Sequence, residues 1–150
     1  LKTAGLQEVY NYSFVSQKDA KIFGQSGLIE VLNPLSIEYK YLRGSLIPNL
    51  LKNVQKNQKN YESIRIFELG KIFQKPKEEK RQLTGLITGE AFYQLKGLVD
   101  LLFERLGITG VCQYDDYQLS PEDSHSSLWR QRLSAEIKVD GKEIGFLGEI

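Results

Sequence analysis

Methionine is absent from the sequence, and cysteine, histidine and tryptophan each occur once. A single cysteine cannot form an internal disulfide, so no disulfide framework supports the fold. Cys112 lies in the strand-like run VCQY and reads as a small buried hydrophobe in a reducing compartment. One histidine and one cysteine are too few for a zinc site, which needs several convergent nitrogen or sulfur ligands. His125 stands among Ser124, Ser126 and Ser127 with no identifiable partner, so it reads as a surface loop residue and not a general base. Serine and cysteine nucleophiles likewise lack a visible base. No apolar run approaches the ~20 residues that a membrane span requires, and no charged-then-apolar leader ends in small residues. The expectation is a cytoplasmic protein. A chain without methionine that opens on Leu1 and stops on Ile150, inside a strand-like run, is expected to be an excised domain truncated at both ends.

Charge of one sign is also missing. Twenty Lys and Arg stand against 19 Asp and Glu, for a net charge of +1. A domain that binds nucleic acid through phosphates shows a clear basic excess, so direct nucleic-acid binding is not indicated. Lys52, Lys56 and Lys59 form a basic run on the polar side of an amphipathic helix and read as a solvated face. Asp115-Asp116 and Glu122-Asp123 are adjacent carboxylate pairs that read as solvating residues and not as cation ligands. With 150 residues the chain is long enough to bury one core without staples, which predicts a single domain over 1–150.

What is present is a sequence of helix and strand signals. Leu1 to Ala4 reads as the last turn of a helix capped by Gly5, and QEVYNYSF as a strand that contains Val9 and Tyr10. Ser16 is a candidate N-cap for the short helix QKDAKIF, which Gly24 ends; LIEVL follows as a strand, and Asn33-Pro34 as a turn. After the extended YKYLR, Ser45 is positioned to cap a helix with Pro48 in its first turn, where a missing N–H does no harm. Leu46, Ile47, Leu50, Leu51 and Val54 give that helix an apolar stripe. IRIFEL and KIFQ read as strands separated by Gly70, PKEEKR as a charged loop, and QLTGLITG as a further strand. Leu95, Leu98, Val99, Leu102 and Leu106 form one face of a helix over 93–106, with Gly107 at its C-terminal cap. VCQYDD reads as a strand and SPEDSHSS as a loop. LSAEIKV and KEIGFLGEI flank Asp140-Gly141, the strongest hairpin signal in the chain.

This order predicts an α+β fold: a mostly antiparallel sheet of about six or seven strands, flanked by two substantial helices laid on it. No strand-helix alternation or phosphate-cradling glycine turn points to a dinucleotide fold. Gly85, Gly89, Gly145 and Gly148 fall within or beside strands, where a bulge or a close backbone approach is the expected role.

Two blocks carry more than fold. NPLSIEYKYLRGSLIPNLLKNVQKN followed by IRIFELGKIF resembles the central stretch of the phenylalanyl-tRNA synthetase beta subunit. Asn33, Pro34, Leu35, Ser36 and Glu38 carry the first part, Leu42, Arg43, Ser45, Leu46 and Pro48 the second, and Phe67, Glu68 and Gly70 the third. The likeness extends to GLQEVYNYSF, YQLKGLVDLLFERLG and LSAEIKVDGKEIGFLGEI, and weakens between Val111 and Arg132. It departs at DSHSSLWRQRL, over 123–133, where a loop lacking the family's histidine-proline-glycine turn is the expected reading of Trp129, Arg130 and Arg132.

The resemblance implies a class II aminoacyl-tRNA synthetase-like core that has lost its active site. It also implies a catalytic alpha subunit as partner, contact with tRNA(Phe) through the whole heterotetrameric assembly, and ATP and magnesium as cofactors of the whole enzyme but of no residue here. No catalytic, cofactor-binding or metal residue is assigned. The N-terminal helix corresponds to the class II dimerisation helix, so the fragment is expected to expose apolar surface and to self-associate. Arg65 alternates with Ile64, Ile66 and Phe67 and reads as a partly exposed strand arginine, not as a phosphate ligand. Arg43 and Glu68 each lie between apolar neighbours and are expected to be partly buried, paired, and occupied with holding the fold. Two alternatives remain: a residually active ATP-dependent adenylate-forming domain, and a freestanding tRNA- or RNA-binding paralogue.

Overall fold

A computed structural model describes all residues except 23, 24, 26, 77, 90, 109–111, 117–128, 131 and 132. Gly24, Glu122, Asp123, His125, Arg132 and the SPEDSHSS loop therefore lie outside the described residues. The chain forms two compact units, Leu1–Thr88 and Gly89–Ile150.

The first unit opens with a short 3-10 turn over Lys2–Ala4, closed by Gly5 in the left-handed region at φ 84°. It continues through β1 (Gln7–Glu8), β2 (Phe14–Val15), α1 (Gln17–Ile22), a 3-10 turn (Ile37–Tyr39), β3 (Tyr41–Leu42), α2 (Ile47–Asn57), β4 (Arg65–Lys75) and β5 (Glu78–Ile87). The strands order as β1-β4-β5, with a separate β2-β3 pair. β1 runs parallel to β4, and the other two pairings are antiparallel. The spacing of Leu46, Leu50 and Val54 puts them on one side of α2, and Leu50 packs with Ile64 and Ile66 against Val9, Val54 and Leu86. Leu46 and Leu50 are fully buried, and burying one leucine side chain contributes about 2 kcal/mol.

The second unit contains α3 (Phe92–Leu106), β6 (Cys112–Asp116), β7 (Ser134–Val139) and β8 (Lys142–Gly148), with the strands antiparallel in the order β6-β7-β8. Gly107 ends α3 in the left-handed region at φ 69°. The β7-β8 turn places Asp140 at φ 51° and Gly141 at φ 75°, the positive pair that a two-residue hairpin turn requires. Ala135, Ile137 and Leu147 form the buried side of this sheet, covered by Phe92, Leu95, Val99 and Phe103 of α3 together with Tyr114.

The α+β class holds, and of the strand pairings among the described residues only β1-β4 is parallel. Other expectations need correction. The described strands fall into three sheets rather than one. QEVYNYSF is not a continuous strand: the chain between β1 and β2 uses Asn11, Tyr12 and Ser13 to bond side chains and a neighbouring amide, and Tyr10 is left exposed. LIEVL reduces to a single bridge between Glu30 and Tyr41, because its partner β3 is only two residues long.

Gly70 does not separate two strands, since it pairs in register with Gln82 inside one continuous β4. PKEEKR is not a loop: β5 begins at Glu78, and its charges are matched by Lys71–Glu79 across the ladder at 2.6 Å and by Lys80–Glu78 at 3.2 Å. Ser45 precedes the N-cap, which is Leu46, and its hydroxyl accepts from the Ile47 amide at 3.3 Å. Leu106 is exposed at the end of α3 and is not part of the packed face. Gly148 meets the expectation of close approach, because a Cβ there would lie 2.7 Å from Ser134 Oγ. No helix among the described residues is long and apolar enough to cross a membrane.

Candidate functional site

The alternation along β4 puts Ile66, Glu68 and Ile72 on one face, and all three are buried. A carboxylate at such a position is costly unless its oxygens are bonded. Glu68 Oε1 accepts from Arg43 Nη1 at 2.7 Å and from the Asn11 amide at 3.3 Å, while Oε2 accepts from Asn11 Nδ2 at 2.7 Å. Both charged side chains are only 3% exposed. Arg43 follows directly after β3, donates its amide to Ser13 O at 2.9 Å, and accepts the Phe73 amide on its carbonyl at 2.9 Å. Its Nε donates to Lys71 O at 2.9 Å and its Nη1 to Asn11 O at 3.4 Å.

Helix α2 joins the cluster through two amides. Asn53 Nδ2 donates to Asn11 Oδ1 at 3.1 Å, and the buried Asn49 donates to Tyr12 O at 3.0 Å. The result ties β3, β4, the 11–13 segment and α2 into one network. A general base needs a lone pair aimed at solvent or substrate, and a phosphate-binding cation needs free N–H groups. Here Glu68 accepts on both oxygens from within the fold, and Arg43 donates from Nε and Nη1 to a carboxylate and two carbonyls. The cluster holds segments together.

The expected pairing of Arg43 with Glu68 is therefore present, and both residues are more deeply buried than expected. The three asparagines were not singled out in the sequence. Asn49 and Asn53 share α2's inner side with Leu46 and Leu50, and amides within an apolar stripe are the signal that marks them. Arg65 is half-buried, as expected of a strand arginine, and its Nε has no hydrogen-bond partner among the described residues. Lys56 and Lys59 are exposed, but Lys52 is not merely solvated: it bridges to Asp19 at 2.5 Å. Ser16 caps α1 as expected, accepting from the Asp19 amide at 3.1 Å. Partial burial works against the Asp19 carboxylate, but the Lys52 and Ser16 hydrogen bonds prevail and hold its pKa below the ordinary value.

Trp129 and Arg130 do more than fill a loop. The indole meets Phe146 edge-on at 4.9 Å, and Arg130 Nη1 bridges to Glu149 Oε2 at 2.9 Å. The 28–42 segment presents the opposite character: Leu32 and Leu35 are each 95% exposed and Ile37 77%, beside an edge-to-face Tyr12–Tyr39 pair at 5.7 Å. Among the described residues no three His, Cys, Asp or Glu side chains come together as a group that could hold a metal ion.

The fold of these helices and strands is one shared with solved aminoacyl-tRNA synthetase structures. The crystal structure of pyrrolysyl-tRNA synthetase from Desulfitobacterium hafniense superposes with a TM-score of 0.68 over 95% of this chain and 52% of that one, at 18% identity. A second structure of the pyrrolysyl enzyme of that organism gives a TM-score of 0.67 over 95% and 50%, at 16% identity. Identity at this level speaks for the fold alone.

The family model of the phenylalanyl tRNA synthetase beta chain CLM domain matches residues 1–150, and the chain belongs to that family. Among its relatives, the phenylalanine–tRNA ligase beta subunit of Listeria innocua is 31% identical over 100% of this chain and 20% of that protein. That of Fusobacterium nucleatum is 32% identical over 100% and 21%. The chain thus spans about a fifth of the length of the curated relatives it matches.

Proposed function

We propose that residues 1–150 act as one non-catalytic structural module of a phenylalanyl-tRNA synthetase beta subunit, packing against and supporting a catalytic alpha subunit that charges tRNA(Phe) with phenylalanine. The observation that carries this reading is the buried Arg43–Glu68 pair: these two charged residues of the family blocks bond to each other and to neighbouring segments of the fold. The exposed Leu32, Leu35 and Ile37 supply apolar surface of the kind that a subunit contact covers, and also the surface through which the isolated chain would self-associate. ATP and magnesium belong, in this reading, to the whole enzyme and not to this module, and tRNA(Phe) is met by the whole heterotetramer in the cytoplasm.

The test is coexpression of an intact beta subunit with its alpha subunit. Removing the region equivalent to 1–150 is expected to abolish aminoacylation, and persistent activity would overturn the scaffold role. Phenylalanine-dependent ATP–pyrophosphate exchange by the chain alone is expected to stay at background. Clear exchange would favour a residual active site instead.

A further inference from the structure

On the buried face of β4, the residue after Glu68 in the two-residue period is Gly70. Its φ is not positive and it pairs in register with Gln82, so backbone freedom does not explain a glycine there. Space does. A Cβ at this position would lie 2.4 Å from Arg43 Nη2, 3.2 Å from Glu68 Oε1 and 3.2 Å from Leu46 Cδ2.

A guanidinium at the end of a flexible side chain ordinarily swings aside from such a contact. This one is anchored. Nε is held by Lys71 O at 2.9 Å, Nη1 by Glu68 Oε1 at 2.7 Å, and only 3% of the side chain reaches solvent. Leu46, the third neighbour, is fully buried and has no room to retreat.

We infer that Gly70 is a positioning residue: the missing side chain is the seat of the Arg43 guanidinium, and a seated Arg43 sets the placement of the 28–42 segment. Leu42, directly before Arg43, donates its amide to Ile29 O at 2.9 Å, and Val31 donates to Lys40 O at 2.8 Å. The Glu30–Tyr41 bridge lies between these bonds. Displacing Arg43 pulls on β3 and through it on the segment that carries Leu32, Leu35 and Ile37. This holds whether or not an alpha subunit docks on that segment.

Rescue by a conservative partner tests it. Gly70→Ala in this 150-residue chain is expected to lower Tm by about 5–10 °C, the scale of an overpacked core position. Arg43→Lys keeps the charge but lacks the Nη2 branch, so it costs stability in the parent yet is expected to raise Tm in the Gly70→Ala background. Amide exchange supplies a local readout. In Gly70→Ala, Val31 and Leu42 are expected to exchange roughly tenfold faster relative to Leu50, whose amide is bonded within α2 to Leu46 O. A double variant no more stable than Gly70→Ala alone, whether folded or not, would overturn the steric seat. Unchanged relative exchange at Val31 and Leu42 would overturn the positioning role.

Discussion

Arg43 and Glu68 meet at 2.7 Å with almost no solvent access, although 25 residues separate them in sequence. Removing one partner strands the other as a buried charge, which typically costs about 3–5 kcal/mol. Glu68→Leu is therefore expected to be severely destabilising in urea unfolding. Replacing both, as Arg43→Met with Glu68→Leu, should recover at least half of that loss, because no uncompensated charge remains. A double variant as damaged as the single would show that the bonds to Lys71 O and Asn11, rather than the charge pair, dominate.

Gly141 is the turn residue with the less adaptable requirement. At φ 75° a Cβ strains the backbone by about 1–2 kcal/mol, so Gly141→Ala should lower the melting temperature and speed amide exchange across β7 and β8. Asp140→Asn keeps a residue type that tolerates positive φ and should cost less than Gly141→Ala by both measures. Equal effects at the two positions would argue against a turn-specific cause.

These two features differ in how visible they are in the sequence. The Asp140-Gly141 turn, the Gly107 cap and the α2 stripe follow from local rules, since each is determined by residues within a turn or two of one another. The Arg43–Glu68 contact shows in the sequence only as two charges among apolar neighbours; their partners on Asn11 and Lys71 depend on tertiary placement. PKEEKR misleads because six consecutive polar or breaking residues resemble a loop, while a diagonal ion pair across the ladder joins Lys71 to Glu79 and so absorbs charge that the local run leaves unexplained. Gly70 misleads for a related reason. A glycine in a strand reads as punctuation until the side chain that occupies its space, brought from Arg43, is known. Helical spacing marks Leu46 and Leu50 as buried, but no local pattern marks Leu32 and Leu35 as exposed.

Leu50 is the best single probe of the α2–β4 core. It is fully buried against Ile64 and Ile66, and its truncation to alanine is expected to cost about 2–5 kcal/mol through lost burial and a residual cavity. Val54 is only partly buried against the same cluster, so Val54→Ala should cost less than half as much. The urea midpoint should move with little change in slope. A slope change would mean that the first unit no longer unfolds as before.

The Asp19–Lys52 bridge makes a pH-dependent contribution whose sign follows from the direction of the shift. Burial opposes the carboxylate, but the Lys52 and Ser16 hydrogen bonds outweigh it and hold Asp19 below its ordinary 3.8. The folded state therefore binds the proton less readily than the unfolded chain. Its stabilisation is complete above the ordinary value and is lost as pH falls through the depressed folded value. Lys52 is 43% exposed, so solvent screening limits the gain to about 0.2–1 kcal/mol. Asp19→Asn should lower stability by that amount at neutral pH and match the parent at strongly acid pH, flattening part of the acid limb below about pH 4. Lys52→Met should reproduce most of the effect. A difference between parent and Asp19→Asn that stays constant down to strongly acid pH would show that Asp19 acts through its hydrogen bond with Ser16 and not through its charge.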